Sequence, residues 1–122
     1  MDSKDVHIYE EIITLLPQIG VQPDVAKVIV CLLQKSAVTV KSISKHTEIS
    51  VPRVREILSD FQKLSWVNVT QGDSARGGPA VNVYTLAVPF TTIVESVEKE
   101  VLRQQAEYQA AVDYLRSHSR ST

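Results

Sequence analysis

Residues 50–64 read SVPRVREILSDFQKL, and this stretch decides the fold. Ser50 suits a helix N-cap, because its short side chain accepts a hydrogen bond from a backbone N–H of the first turn. Pro52 follows inside that turn, where a missing N–H matters least. Behind it, Val54, Ile57, Leu58, Phe61 and Leu64 stand at i, i+3, i+4, i+7 and i+10, a core-facing stripe of helical period. Pro52, Arg53, Arg55, Glu56 and Ser59 then fall on the opposite or flanking surface.

Upstream, a helix of about two turns over 41–47 carries Ile43 as its buried residue, and with the 50–64 helix it makes a helix–turn–helix. A preceding helix runs from Pro23 to about Lys35, with Val25, Val28, Ile29, Val30, Leu32 and Leu33 inward. The first helix spans Lys4 to Ile19 and ends at Gly20, with Pro17 in its last turn. Downstream, Trp66, Val67 and Val69 begin an alternating strand, residues 71–79 are polar and glycine-rich, and Val81, Val83 and Leu86 continue a second strand. A hairpin with an Arg-bearing tip directly after a helix–turn–helix makes a wing.

Pro89 opens a long helix to about Ser117. Val94, Val101, Tyr108 and Leu115 are seven apart, as are Phe90, Val97, Gln104 and Ala111; interleaved, they form the 4–3 repeat of a coiled-coil seam. Gln104 is a polar residue in that seam, of the kind that sets register, and Tyr108 can bury its ring while its hydroxyl reaches water. A helix of roughly 40 Å outruns so small a domain and needs a partner helix, most simply a second copy. The expected fold class is therefore mainly α with a small β-hairpin: a winged helix–turn–helix domain over 1–88, then a coiled-coil-like dimerisation helix and frayed tail over 89–122.

The chain has 122 residues, 43% hydrophobic and 22% charged, which suits one globular domain. Its formal net charge of −1 excludes a uniformly basic nucleic-acid binder, so any attraction to DNA must come from local placement. Between Lys41 and Arg76 six basic residues meet four acidic ones, whereas residues 1–34 hold five acidic and two basic ones. The positive excess sits in the reading segment. The single cysteine, Cys31, lies in an apolar run and reads as a buried, inert thiol in a reducing cytoplasm. With no signal core and no apolar run long enough to span a bilayer, a cytoplasmic protein with no membrane partner is expected.

A helix–turn–helix places the N-terminal part of its second helix in the major groove. There an arginine can hold guanine with two hydrogen bonds or grip a phosphate. Arg53 and Arg55 occupy that position; as ordinary solvated charges they would carry no function, and the wing tips the reading toward DNA. The expected contacts are Lys41, Ser42 and Lys45 on the first helix of the pair, Ser50, Pro52, Arg53, Arg55 and Ser59 on the second, and Arg76 on the wing. The seam residues Phe90, Val94, Val97, Val101, Gln104, Tyr108, Ala111 and Leu115 are the expected dimer contacts. His7, His46 and His118 lie in separate segments without ligand spacing, and no serine sits in a nucleophile elbow. No metal, cofactor or catalytic group is expected, and therefore no enzyme. Gly77-Gly78 is followed by Pro79 and a strand, which excludes a phosphate-binding glycine loop.

The order of these parts resembles the DNA-binding domain of TrmB-type archaeal transcriptional regulators, close in architecture to MarR-type winged-helix dimers. The resemblance rests on Ile19-Gly20-Val21, the run Pro23-Asp24-Val25-Ala26-Lys27-Val28, Ser42-Ile43-Ser44, the run Val51 to Leu58, Leu64-Ser65-Trp66-Val67, and Tyr84 to Pro89. It covers about four-fifths of the chain. It implies that the helix holding Pro52, Arg53 and Arg55 reads DNA, that the loop around Arg76 flanks it, and that the last helix dimerises. Two departures stand out. Glu56 and Asp60 make the reading helix less basic than the family's, and no sugar-binding domain follows the last helix, so no sugar effector is expected. The functional expectation is a homodimeric, sequence-specific regulator of transcription on double-stranded DNA. Near-neutral charge with Glu56 and Asp60 leaves the alternative of a winged-helix module that docks protein within a larger complex.

Overall fold

The structure, a computed structural model, describes residues 3–72 and 81–119. Its elements run α1 (Ser3–Gln18), α2 (Pro23–Gln34), α3 (Val40–Thr47), α4 (Val51–Lys63), β1 (Val67–Gly72), β2 (Val81–Leu86) and α5 (Phe90–His118). β1 and β2 pair antiparallel, with Val67 opposite Leu86 and Gly72 opposite Val81. This is a winged helix–turn–helix followed by a long helix, as the sequence leads one to expect. None of the described helices is long and apolar enough to cross a membrane.

The core forms where the apolar stripes meet. Val28, Ile29, Cys31 and Leu32 of α2, Ile43 of α3, and Val54, Ile57, Leu58 and Phe61 of α4 are buried in one cluster with Trp66 and Tyr84. Burial raises the pKa of the Cys31 thiol above its ordinary value, which keeps it protonated. Phe61 and Trp66 pack with ring centroids 5.2 Å apart, closing the base of the hairpin on α4.

The expected stripe on α4 holds with one exception. Leu64 is 54% exposed. The helix ends at Lys63, and Ser65 takes a left-handed backbone with φ 61°, so the chain leaves the helix before Leu64 can complete the row. In β2 the inward residue is Tyr84, while Val81 is exposed. Val38, just before α3, exchanges backbone hydrogen bonds with Tyr84 at 2.9 and 2.7 Å, a bridge that ties the hairpin to the start of the helix–turn–helix.

α3 and α4 start on different caps. Thr39 forms a full capping box: its hydroxyl accepts from Ser42 N–H at 3.1 Å, and Ser42 Oγ accepts from Thr39 N–H at 2.9 Å. Ser50 Oγ accepts from Arg53 N–H at a long 3.4 Å. Two short bonds satisfy two helix-terminal donors, whereas the longer one barely satisfies one. Each alanine removes one cap bond, that from Ser42 N–H at 3.1 Å or that from Arg53 N–H at 3.4 Å; the shorter one is worth more, so Thr39→Ala is expected to destabilise by about 1–2 kcal/mol and Ser50→Ala by about 0.5–1 kcal/mol in urea unfolding. Equal losses would contradict this ranking.

α5 is attached at one end. Ile93 is its fully buried residue, and Phe90 and Val97 pack half-buried against the same core. Further along, Leu102, Tyr108, Tyr114 and Leu115 are more than half exposed.

Candidate nucleic-acid interface

The turn between the paired helices is built from side chains and one unusual backbone. Glu48 caps α3 in the left-handed region at φ 64°, with its N–H donating to Ser44 O at 2.8 Å. Ser44 Oγ donates to Ile49 O at 2.5 Å, and Thr47 Oγ1 accepts from Ile49 N–H at 3.3 Å. These bonds hold residues 48–50 in a tight corner, so α4 leaves α3 in a defined direction.

From α4, Pro52, Arg55, Glu56, Ser59 and Asp60 are exposed, on the sides away from the buried stripe. Lys41 and Lys45, one turn apart on α3, are exposed as well. Arg55, Lys41 and Lys45 have no hydrogen-bond or ion-pair partner among the described residues, so their charges are available to a ligand. Ser42 and Ser50 are also exposed, but each already serves a helix cap. Arg76 lies outside the described residues.

Arg53 is placed differently. Two steps along a helix put it roughly 160° around from Arg55, on the flank that meets α2. Its Nε donates to Asp24 Oδ2 at 2.6 Å and its Nη2 to Asp24 Oδ1 at 3.3 Å, while Nη2 also donates to Gln22 Oε1 at 2.5 Å. Nη1 donates to Glu56 Oε1 at 2.5 Å. Its side chain is 27% exposed, and that of Asp24 30%. The Arg53 hydrogen bonds hold the Asp24 carboxyl below its ordinary pKa against the opposing effect of partial burial, and Asp24 in turn raises that of Arg53. Asp24 Oδ1 also accepts from Val25 N–H at 2.8 Å. Gln22 and Asp24 are not among the contacts expected from the sequence. Glu56 at i+3 from Arg53 was visible as a partner, but Asp24 lies 29 residues away and no local spacing points to it.

The expected seam residues of α5 are distributed along its length. Phe90 and Val97 lie against the chain's own core, and Val101 and Gln104 line a groove of about 380 Å³ with Ile19, Leu64 and Trp66. Val94, Tyr108, Ala111 and Leu115 are exposed. On the helix, Arg103 bridges Glu100 and Glu107, and Gln104 Nε2 donates to Glu100 Oε1 at 3.2 Å. Among the described residues no three His, Cys, Asp or Glu side chains are grouped so as to hold a metal ion.

Residues 24–68, which span α2 to the start of β1, match the helix-turn-helix domain family of RNA polymerase III subunit RPC82. No curated protein matches the chain in sequence. Among solved structures it is similar to a possible transcriptional regulator from Methanosarcina mazei Go1, at 14% identity and TM-score 0.56, over 89% of this chain and 87% of that one. It is also similar to the YusO protein of Bacillus subtilis, at 15% identity and TM-score 0.53, over 95% and 83%. A third similar structure is Bordetella bronchiseptica BpsR, whose DNA binding is regulated by 6-hydroxynicotinic acid; identity is 19% and TM-score 0.50, over 95% and 88%. At these identities the likeness establishes the winged helix–turn–helix fold.

Proposed function

We propose that the chain is a homodimeric, sequence-specific double-stranded DNA-binding regulator of transcription, of TrmB-like or MarR-like type, acting in the cytoplasm without catalysis. The observation that carries this reading is the exposed start of α4. Pro52, Arg55 and Ser59 stand clear of the core on the second helix of a helix–turn–helix, and Lys41 and Lys45 are exposed on the first, without a partner among the described residues. Such a helix start enters the major groove, while the neighbouring lysines meet phosphates. Residues 1–88 form the reading unit, with Arg76 on the wing reaching the backbone or minor groove, and residues 89–122 supply the pairing helix. The names of the M. mazei and B. bronchiseptica structures agree with this reading.

Binding to random-sequence duplex DNA across a salt series tests it. The wild type is expected to bind with a steep salt dependence, because neutralised phosphates release counterions. Arg55→Ala, by removing one phosphate contact, is expected to weaken binding at every sequence and to flatten the slope of log K against log salt by about 1. Absence of binding at low salt sinks the proposal. It favours instead a protein-docking role for α4, a second reading supported by exposed Glu56 and Asp60 and by the sequence match to a polymerase-subunit domain.

A further inference from the structure

Arg53 occupies a place that a DNA-reading arginine should not. A guanidinium has five N–H donors, and reading guanine O6 and N7 needs two of them side by side and free. Four contacts to Asp24, Gln22 and Glu56 already engage Nε, Nη1 and Nη2. Two carboxylates also neutralise its charge, which leaves little for a phosphate. A cation in the first turn of a helix is opposed by the helix dipole, and α4 carries no acidic residue in that turn. Besides Glu56 further along α4, a compensating anion comes from another element: Asp24, in the first turn of α2.

We infer that Arg53 is a positioning residue, a strut that joins the start of α4 to the start of α2 and fixes the angle at which α4 meets DNA, while Arg55 makes the contact. This rests on the DNA-binding reading above. The bidentate pairing with Asp24 resists both rotation and sliding of the α4 start, and the bond to Gln22 adds a second anchor on the same side. Glu56, one turn along, holds the guanidinium from the α4 side. DNA affinity then depends on Asp24, a negative charge that by electrostatics alone should oppose binding.

That dependence separates a strut from a reader. Salt series on duplex DNA are measured for wild type, Arg53→Ala, Arg53→Lys, Asp24→Asn, the Arg53→Ala/Asp24→Asn double variant and Arg55→Ala, each shown folded by circular dichroism at the assay temperature. For a strut, Arg53→Ala and Asp24→Asn each weaken binding several-fold with the wild-type salt slope. The double variant is no weaker than the worse single one, and Arg53→Lys recovers part of the loss through its remaining charge pair with Asp24. Arg55→Ala lowers the slope by about 1 in the same series. The inference is overturned if Arg53→Ala lowers the slope as Arg55→Ala does, if Asp24→Asn tightens binding, or if neither variant changes affinity. A wild type that binds no DNA at low salt instead removes the DNA reading, and this role with it.

Discussion

A chain carrying both Tyr108→Glu and Leu115→Glu is expected to run in solution at the mass of one chain, 13.6 kDa, while the unaltered protein runs at twice that mass. The reason lies in how α5 is covered. Its 29 residues extend about 43 Å, yet Phe90, Ile93 and Val97 at its start are what pack on the core. Beyond them the seam residues Tyr108 and Leu115 are 71% and 66% exposed. Large apolar side chains recurring along one helix, with no cover from their own chain, mark a surface that another helix buries. Opposed glutamates in such a seam bring like charges into an apolar contact that cannot solvate them. Linking two reading helices multiplies affinity by about 10²–10⁴ over one alone, so the monomeric variant is expected to lose DNA binding by that factor. A double variant that stays dimeric shows that the seam lies elsewhere, with exposed Leu15 of α1 and Ile19 just after that helix as the next surface to test.

What could be read in the sequence was set by the range of each interaction. Val54, Ile57, Leu58 and Phe61 announce α4 because helical period is a local property, and all four are buried. Ser50 and Pro52 announce where α4 begins for the same reason. Leu64 matches the period but faces solvent, since periodicity assumes that the helix continues and Ser65 ends it. The strand phase of β2 was obscured because Val81 and Val83 invite an inward reading, whereas Tyr84 is fixed inward by its backbone bridge to Val38, far away in sequence. The Arg53–Asp24 pair was hidden in the same way: both residues were visible, but only the packing of α2 beside α4 brings them together. On α5, the 4–3 repeat points to Phe90 and Val94 and passes over the buried Ile93 between them.

Ile93→Ala is expected to be among the most damaging single changes, lowering unfolding free energy by about 2–5 kcal/mol, a range set by lost transfer energy plus the cavity left behind. Ile93 is 1% exposed and belongs to the same buried cluster as Ile57, Phe61 and Trp66. Among the described residues it is the fully buried side chain of α5. The neighbouring Val94 is 36% exposed, so Val94→Ala removes fewer buried contacts and is expected to cost under about 1 kcal/mol within one chain. Denaturant unfolding at one fixed protein concentration compares the two, because dimerisation makes apparent stability depend on protomer concentration. The loss at Ile93 has a second consequence. α5 is joined to the reading unit through this side chain and its half-buried neighbours Phe90 and Val97, so loosening it lets the two winged units of a dimer drift in spacing. Two recognition helices must stand about 34 Å apart to enter successive major grooves. Ile93→Ala is therefore expected to weaken DNA binding even at temperatures where it remains folded and dimeric. Unchanged stability shows that α5 is held by Phe90 and Val97 without it; lost stability with full DNA affinity shows that the pairing helix and the reading unit need no rigid joint.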